Sequence, residues 1–274
     1  FHRSHPSIAI IKHDPQPPPE EPLLVAYMGN WQPCPTYEQY KHYTHVMVAF
    51  AVTYSWRPGK NLCSPTCEIS RPTICSDNHN MMQDLHDAGV KVILSFGGAG
   101  MGGSWASSVD DCWEHCFGRE DQVVDRLVNL VNEMDFDGVD VDYEYYFEDD
   151  QNGSGFSKGD EAQYFLTHVT NGLREKLPSD SIVTHAPMDI DLLPESAYFK
   201  LLQEVRDDLN FLMPQYYNGI TRPSETGVTG KFGSYPSPLT HMNDIASSMF
   251  GNDRRKVIFG FCIADCGGTG SNTD

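Results

Sequence analysis

The feature that most restricts the fold is a regular alternation of apolar runs with amphipathic stretches from residue 23 onward. The apolar runs, which we interpret as strands, occupy residues 23–29, 44–52, 90–98, 138–144, 181–187, 211–217 and 257–264. Most are continuously apolar, which is typical of strands covered on both faces. Between them, residues 121–134 and 160–177 place apolar side chains at helical spacing. This alternation predicts a parallel sheet covered by helices, either a TIM-type (β/α)8 barrel or a doubly wound sheet.

The fourth run contains three carboxylates on one face. Side chains of an extended chain alternate between faces, so Asp140, Asp142 and Glu144 share one face at a spacing of about 7 Å. Like charges this close in a partly desolvated site raise the pKa of at least one acid. A protonated acid beside an ionised carboxylate is what glycosidic cleavage requires. The alternative is a hairpin turn at residues 137–138 with solvated acids, and it is disfavoured because the opposite face is apolar and Asp is depleted in strands.

Three segments, in the right order, resemble motifs of the family 18 glycoside hydrolases, the chitinases and their relatives. Residues 137–144 read Asp-Gly-x-Asp-x-Asp-x-Glu and are similar to the acidic signature of that family. Residues 91–98 end in Ser-Phe-Gly-Gly and residues 213–218 read Met-Pro-Gln-Tyr-Tyr-Asn, which resemble its Ser-x-Gly-Gly strand end and its tyrosine-bearing strand. The resemblance extends from about residue 23 to residue 266, and it implies the barrel rather than the doubly wound sheet.

The resemblance implies a role for each catalytic candidate. Glu144 is expected to be the general acid that protonates the leaving glycosidic oxygen, and later the base that activates water. Asp142 is expected to hold the acetamide of the substrate, whose carbonyl oxygen attacks the anomeric carbon in place of an enzyme nucleophile. Asp140 is expected to tune Asp142 through hydrogen bonding and shared charge, and Tyr217 to donate a hydrogen bond to the acetamide oxygen. The implied outcome is hydrolysis with retention.

Further positions that the resemblance assigns to substrate binding are Tyr27, Phe50, Gly98, Gln215, Asn218 and Met213. The two aromatic residues end the first and second strands, where packing inside the barrel is an equal alternative. Gly98, together with Ser95, is interpreted as a site of close backbone approach, a backbone role more than a chemical one. The two amides are typical of the small plant-type members, and the methionine is also interpreted as apolar filling.

The implied function is that of a chitinase, which cuts β-1,4 bonds between N-acetylglucosamine units. Two alternatives stay open. One is an endo-β-N-acetylglucosaminidase acting on N-glycans, which uses a very similar acidic strand. The other is a non-catalytic chitin-binding lectin or inhibitor built on the same barrel. Such proteins have typically lost an acid of the motif, and they are disfavoured because Asp140, Asp142 and Glu144 are all retained here.

The number of strands departs from the family pattern. Seven strand candidates are present where a closed barrel needs eight. No tryptophan lies at the end of a late strand, where the family usually has one under the sugar. We therefore expect a barrel that lacks its eighth strand or is truncated before it. Residues 1–22, which are rich in proline, are expected to form an N-terminal arm, and residues 23–274 the catalytic barrel.

Charge restricts the partners. The net charge of −19 argues against nucleic acids and anionic membranes, because both require clustered Lys and Arg. No apolar run approaches the roughly 20 residues that span a bilayer. A neutral polymer is compatible with this charge. We expect a monomer whose ligand is chitin or N-acetylchitooligosaccharides.

Eight cysteines form an even set, which is typical of disulfides and favours secretion to the extracellular space. They are Cys34, Cys63, Cys67, Cys75, Cys112, Cys116, Cys262 and Cys266. Three Cys-x-x-x-Cys pairs also fit zinc, but no His follows at finger spacing. Residues 150–161 partly match a calcium loop, although Ser157 replaces the usual apolar residue at its eighth position. We therefore expect no metal and no cofactor.

Overall fold

The computed structural model describes most of the predicted barrel. The described residues are 16, 21–29, 34–58, 61–73, 80–101, 112–144, 158–217, 219–221 and 223–261, without the side chains of residues 158–160, 224 and 225. The Pro-rich arm, residues 1–22, lies almost entirely outside this part of the chain, so the division at residue 22 stays a prediction. Residues 150–157 of the calcium-loop pattern also lie outside it.

Eight strands occur in the described residues. In chain order they are β1 (Val25–Gly29), β2 (His45–Ala51), β3 (Tyr54–Ser55), β4 (Leu62–Cys63), β5 (Lys91–Gly97), β6 (Gly138–Asp142), β7 (Ile182–His185) and β8 (Phe211–Leu212). Six of them form one sheet in the order β1-β2-β5-β6-β7-β8, with every neighbouring pair parallel. β3 and β4 form a separate antiparallel pair. The order in the large sheet follows the order in the chain, as in a barrel and unlike a doubly wound sheet.

Seven α-helices and three short 3-10 helices connect the described strands. They are α1 (Tyr37–Tyr40), α2 (Met81–Asp87), α3 (Glu120–Met134), α4 (Lys158–Lys176), α5 (Ala197–Glu204), α6 (Pro223–Thr226) and α7 (Pro238–Met249), with 3-10 turns at Glu114–Cys116, Asp189–Leu192 and Arg254–Lys256. α3 and α4 confirm the two predicted helices. α3 has two acidic residues in its first turn, where the helix dipole favours negative charge, and it buries an apolar stripe. No helix in the described ranges is both long and apolar enough to cross a membrane.

The first six predicted strands are confirmed as members of the parallel sheet. The seventh, residues 257–264, is confirmed only as a parallel neighbour of β8 and the residues after it. Ile258 N donates to Leu212 O at 2.8 Å, and Gly260 N donates to Pro214 O at 3.1 Å. The last three residues of that predicted strand lie outside the described ranges. The hairpin-turn alternative at residues 137–138 is wrong, because β6 pairs in parallel with both β5 and β7.

The large sheet curls so that its two ends approach each other. The hydroxyl of Tyr27, on β1 at one end of the strand order, lies 3.9 Å from the Sδ of Met213, directly after β8 at the other end. Inside the curl, Met47, Ile93 and Phe211 are buried in one apolar cluster with Met213. On the outer side, under the helices, the apolar residues of the acidic strand are fully buried: Val139, Val141 and Tyr143. Among the described residues β1 pairs only with β2, which agrees with a barrel truncated before its eighth strand.

Two disulfides tie the loop around β4 to the chain that follows β5. Cys63 pairs with Cys112 and Cys67 pairs with Cys116, each across a sequence separation of 49 residues. We refer to them as the paired disulfides. Their four sulfur atoms are not available as metal ligands, so the zinc alternative is wrong for these two Cys-x-x-x-Cys pairs. The cysteines at positions 75, 262 and 266 lie outside the described residues.

Candidate active site

The acidic face of β6 points into the curl, towards the inner apolar cluster. Asp140 is fully buried, and its Oδ2 accepts hydrogen bonds from the Ser95 hydroxyl at 2.6 Å and from the Tyr27 hydroxyl at 2.9 Å. Ser95 stands opposite Asp140 in the register of β5 and β6, and Tyr27 reaches across from β1. The other oxygen, Oδ1, has no hydrogen-bond partner among the described residues. Two hydroxyl donors from two other strands therefore fix one oxygen of this buried acid.

The two buried aspartates keep a proton near neutral pH. Burial raises the pKa of Asp140 to about 7, although the hydrogen bonds from Ser95 and Tyr27 act in the opposite direction by favouring the ionised form. Burial also raises the pKa of Asp142 well above its usual value. The negative charges of Glu144 and Asp140 raise it further, and so does a hydrogen bond with Glu144. The two aspartates titrate together, so the proton belongs to the pair rather than to one residue.

The side-chain amide of Gln215 orients Asp142. Its Nε2 donates to Asp142 Oδ1 at 3.0 Å and to the backbone oxygen of Ala186 at 2.9 Å, and all three residues are buried. Ala186 follows β7 directly, and Gln215 lies three residues beyond β8. The ends of these two strands therefore hold one oxygen of Asp142 in place.

Glu144 and Tyr217 complete the group around Asp142. Glu144, two residues beyond the end of β6, is half-buried, whereas both aspartates are buried. Burial raises the pKa of Tyr217 well above its usual value, and the charges of Asp142, Glu144 and Asp140 raise it further. The phenol is therefore neutral and keeps its proton for donation to an acceptor. The charges of all three acids are close enough to raise the pKa of Tyr217, so the structure places the four predicted catalytic residues near one another.

Two glycines let the end of β5 approach β6 and Phe50. Gly97 has a φ of 120°, and a Cβ there would lie 2.3 Å from the backbone oxygen of Asp142. Gly98 has a φ of 77°, and a Cβ there would lie 2.5 Å from the ring of Phe50. The backbone N–H of Gly98 also donates to Asp142 O at 2.8 Å. A side chain at Gly97 would push this strand end away from the acidic strand, and one at Gly98 would push it away from Phe50.

The other predicted substrate-binding residues lie in different surroundings. Tyr27 and Phe50 are both half-buried, with their ring centroids 6.4 Å apart. Tyr27 also donates to Asp140, a contact that sequence reasoning does not reveal. Met213 is buried in the inner apolar cluster. Asn218 lies outside the described residues.

From sequence alone Ser95 is assigned a backbone role, and this misses its side-chain contact with Asp140. The available signal is a single hydroxyl in the otherwise apolar run of residues 92–97. A polar side chain buried in such a strand requires a hydrogen-bond partner, and the acids of the fourth strand are the nearest candidates. Ser95 therefore belongs to the acidic site through its side chain.

The arrangement suits proton transfer. It combines an aspartate pair that shares a proton, a half-buried glutamate hydrogen-bonded to that pair, and a neutral phenol. Groups of this kind perform general acid-base catalysis when a substrate places an oxygen within hydrogen-bond reach. Within the described ranges, no group of three His, Cys, Asp or Glu side chains has the arrangement of a metal site.

Comparison with known proteins gives a family match over most of the chain. The model of the glycosyl hydrolases family 18 matches residues 23–256. A chitinase from Plasmodium falciparum is 40% identical over 63 residues, which is 22% of this chain and 15% of that protein. This second match therefore spans a small part of either sequence, whereas the family match includes every strand of the large sheet.

Solved structures have the same fold. A GH18 chitinase from Pseudoalteromonas aurantia is 23% identical, with a TM-score of 0.63 over 88% of this chain and 80% of that chain. A GH18 chitinase from Cycas revoluta in complex with (GlcNAc)3 is 17% identical, with a TM-score of 0.57 over 87% of this chain and 68% of that chain. At these identities the likeness supports the fold alone. Since the family model covers the whole parallel sheet and its acidic strand, this chain belongs to the glycosyl hydrolases family 18.

Proposed function

We propose that this protein is a chitinase, which hydrolyses β-1,4 bonds between N-acetylglucosamine units with retention of configuration. Its family and the chitinases among its relatives support this reaction class. The observation that supports it most directly is the buried Asp140–Asp142 pair, which keeps a proton near neutral pH beside the half-buried Glu144. Cleavage of a glycosidic bond needs a proton donor at the leaving oxygen, and this cluster supplies one.

In the first step Glu144 donates its proton to the glycosidic oxygen, and the bond between that oxygen and the anomeric carbon breaks. The carbonyl oxygen of the substrate's own acetamide forms the new bond to the anomeric carbon, because no second carboxylate acts as nucleophile. Asp142 holds the acetamide N–H and stabilises the positive charge that develops on the ring. Gln215 keeps Asp142 oriented for this contact through its hydrogen bond to Oδ1.

In the second step a water molecule attacks the anomeric carbon and opens the cyclic intermediate. Glu144, now ionised, takes the proton of that water and returns to its starting state. Two displacements at the same carbon give net retention. Asp140 shares its proton with Asp142, so the pair can change its charge distribution as positive charge appears and disappears. The neutral hydroxyl of Tyr217 donates to the acetamide oxygen.

The remaining proposed contacts bind the sugar. The rings of Tyr27 and Phe50 and the backbone at Gly98 lie next to the acids, and Met213 fills the space beneath them. Asn218 adds an amide next to Tyr217 in the sequence. A chain with a net charge of −19 favours a neutral polysaccharide over a polyanion. The Cycas relative was solved with (GlcNAc)3, which supports the proposal that N-acetylchitooligosaccharides bind here. The paired disulfides support an oxidising, extracellular location.

The test is hydrolysis of a chromogenic N-acetylchitooligosaccharide by the wild type and by Glu144→Gln. We expect the variant to lose nearly all turnover and to keep its affinity for the oligosaccharide, since the amide has the same shape and no proton to donate. The matched control is Asp137→Asn. Asp137 lies directly before β6, at the end opposite to Glu144, where it binds Lys91 and His86, so its loss should lower stability and leave kcat unchanged.

Each alternative corresponds to a different result. Residual hydrolysis close to the wild-type rate in Glu144→Gln would contradict the assigned mechanism. A wild type that cleaves N-glycan cores but not chitooligosaccharides would be an endo-β-N-acetylglucosaminidase. A wild type that binds N-acetylchitooligosaccharides without turnover would be a lectin. NMR detection of the first-formed anomer separates retention from inversion.

A further inference from the structure

A buried carboxylate outside the acidic strand binds the loop that follows Tyr217. Asp189 begins the 3-10 turn Asp189–Leu192 after β7 and is fully buried. Its Oδ1 accepts from the backbone N–H of Ile220 at 2.8 Å. Its Oδ2 accepts from the backbone N–H and from the hydroxyl of Thr221, at 2.9 and 2.5 Å. Three donors on two consecutive residues therefore converge on one side chain.

The loop is shaped around this carboxylate. A Cβ at Gly219 would lie 1.6 Å from Asp189 Oδ1, so the chain passes the carboxylate at a distance that only glycine allows. Ile220 and Thr221 are themselves buried. The contact is therefore enclosed by the protein, where a hydrogen bond to a charged acceptor is strong and an unpaired charge would be costly.

The same segment after β7 also holds the chain on the other side of Tyr217. The backbone N–H of Gln215 donates to Pro187 O at 2.9 Å, and its side chain donates to Ala186 O at 2.9 Å. Residues 186–187 thus fix the chain at Gln215, two residues before Tyr217. Asp189 fixes it again at residues 220 and 221, three and four residues after that tyrosine. Tyr217 is held between these two attachments.

We propose that Asp189 is a positioning residue for catalysis. Its carboxylate sets the path of residues 219–221 and so presents the Tyr217 hydroxyl to the acids of β6. Asp189 itself does not touch the substrate. Its catalytic consequence rests on the proposed function, because it acts through the tyrosine that would bind the acetamide. Its hold on the loop does not depend on that function.

The kinetic test uses variants that weaken the hydrogen bonds between Asp189 and residues 220–221 to different degrees. Thr221→Val removes one donor at nearly constant shape and should lower kcat about tenfold with little change in KM, since small misplacements of catalytic groups have large effects. Asp189→Asn turns one acceptor into a donor that faces an N–H, and should lower kcat by about a hundredfold. Thr221→Ser restores the hydroxyl and should recover kcat to within about twofold of the wild type.

The control is Thr170→Val, which removes another buried threonine hydroxyl. Thr170 lies on α4, where it donates to Leu166 O and contacts His185 Nε2. This variant should lose stability and keep its kcat. A second control is the double variant Thr221→Val with Tyr217→Phe. If Asp189 acts through the tyrosine, Thr221→Val should lower kcat by less than about twofold in that background. A full tenfold loss there would overturn the proposal.

Amide hydrogen exchange of the peptide spanning residues 215–221 provides a readout without turnover. Thr221→Val should increase exchange in this peptide, while Thr170→Val should not. Unchanged exchange in both Thr221→Val and Asp189→Asn would overturn the proposal whatever the kinetics show. If the wild type does not hydrolyse the chitooligosaccharide, the proposed chitinase function fails, and the exchange experiment still decides whether Asp189 positions the loop.

Discussion

Replacing Asp140 by asparagine removes a buried charge and keeps the shape of the side chain. The asparagine carbonyl can take the place of Oδ2 and accept from Ser95 and Tyr27. Its amide then takes the place of Oδ1, which has no partner among the described residues. We expect the variant to fold with the same hydrogen bonds. Its activity should fall sharply, because Asp142 loses the carboxyl group with which it shares a proton.

The effect on stability follows from the pKa of Asp140, which burial raises from 3.8 to about 7. Between its pKa in the unfolded chain and its higher pKa in the folded protein, this carboxyl group is protonated mainly in the folded state. Its contribution to stability is therefore complete below the unfolded-state pKa and is lost as the pH rises through the folded-state pKa. Each pKa unit corresponds to about 1.4 kcal/mol, so a difference of about three units lowers the unfolding free energy of the wild type by up to about 4 kcal/mol between about pH 4 and pH 8. The asparagine does not titrate. At about pH 8 the variant should therefore be more stable than the wild type by up to about 4 kcal/mol, and near pH 4 equally stable.

Urea unfolding near pH 4 and near pH 8 measures this difference for the wild type and Asp140→Asn. Asp137→Asn serves as the control, because the two carboxylate oxygens of Asp137 accept from Lys91 Nζ at 2.7 Å and from Val92 N at 2.8 Å, and asparagine keeps only one of these acceptors. That variant should be less stable than the wild type near pH 8. If Asp140→Asn is also less stable there, the ionised form of Asp140 is favoured by its surroundings, and the argument from burial is wrong.

Three further predictions concern the site, the core and the covalent links. Tyr27→Phe removes a donor that lowers the pKa of Asp140, so the limb of the pH–rate profile that reports this pair should move to higher pH, and an unchanged profile would contradict the contact. Burial lowers the pKa of His185 to about 3, so folding excludes a proton that the unfolded chain binds below about pH 6.5. His185→Gln should therefore reduce the stability lost between about pH 7 and pH 4 by about 3 kcal/mol in urea titrations, and an equal loss would refute this. Reducing one of the paired disulfides, each of which closes a loop of 49 residues, should lower the unfolding free energy by about 4 kcal/mol, and reducing the other should lower it by less. The reduced protein should lose activity only to the extent that it unfolds.

The strands could be predicted because their burial on both faces requires long apolar runs. Their ends could not. The run at residues 211–217 forms regular strand only at Phe211–Leu212, because Pro187, at the end of the neighbouring run, has no N–H to donate to it. The β3–β4 pair was missed because strands of two residues are too short to show any periodicity. The seventh run continues the parallel order only through isolated bridges.

The sequence by itself determined the acidic strand, since alternation along an extended chain places Asp140, Asp142 and Glu144 on one face wherever that strand lies. Only the tertiary structure decided which donors reach them. Tyr27 is 113 positions from Asp140, and Gln215 is 73 positions from Asp142. The pKa of a carboxyl group depends on its burial and on such donors, and both arise when the sheet curls and brings distant strand ends together. Local pattern therefore identifies the acids, and the protonation state that suits them to catalysis is a property of the folded barrel.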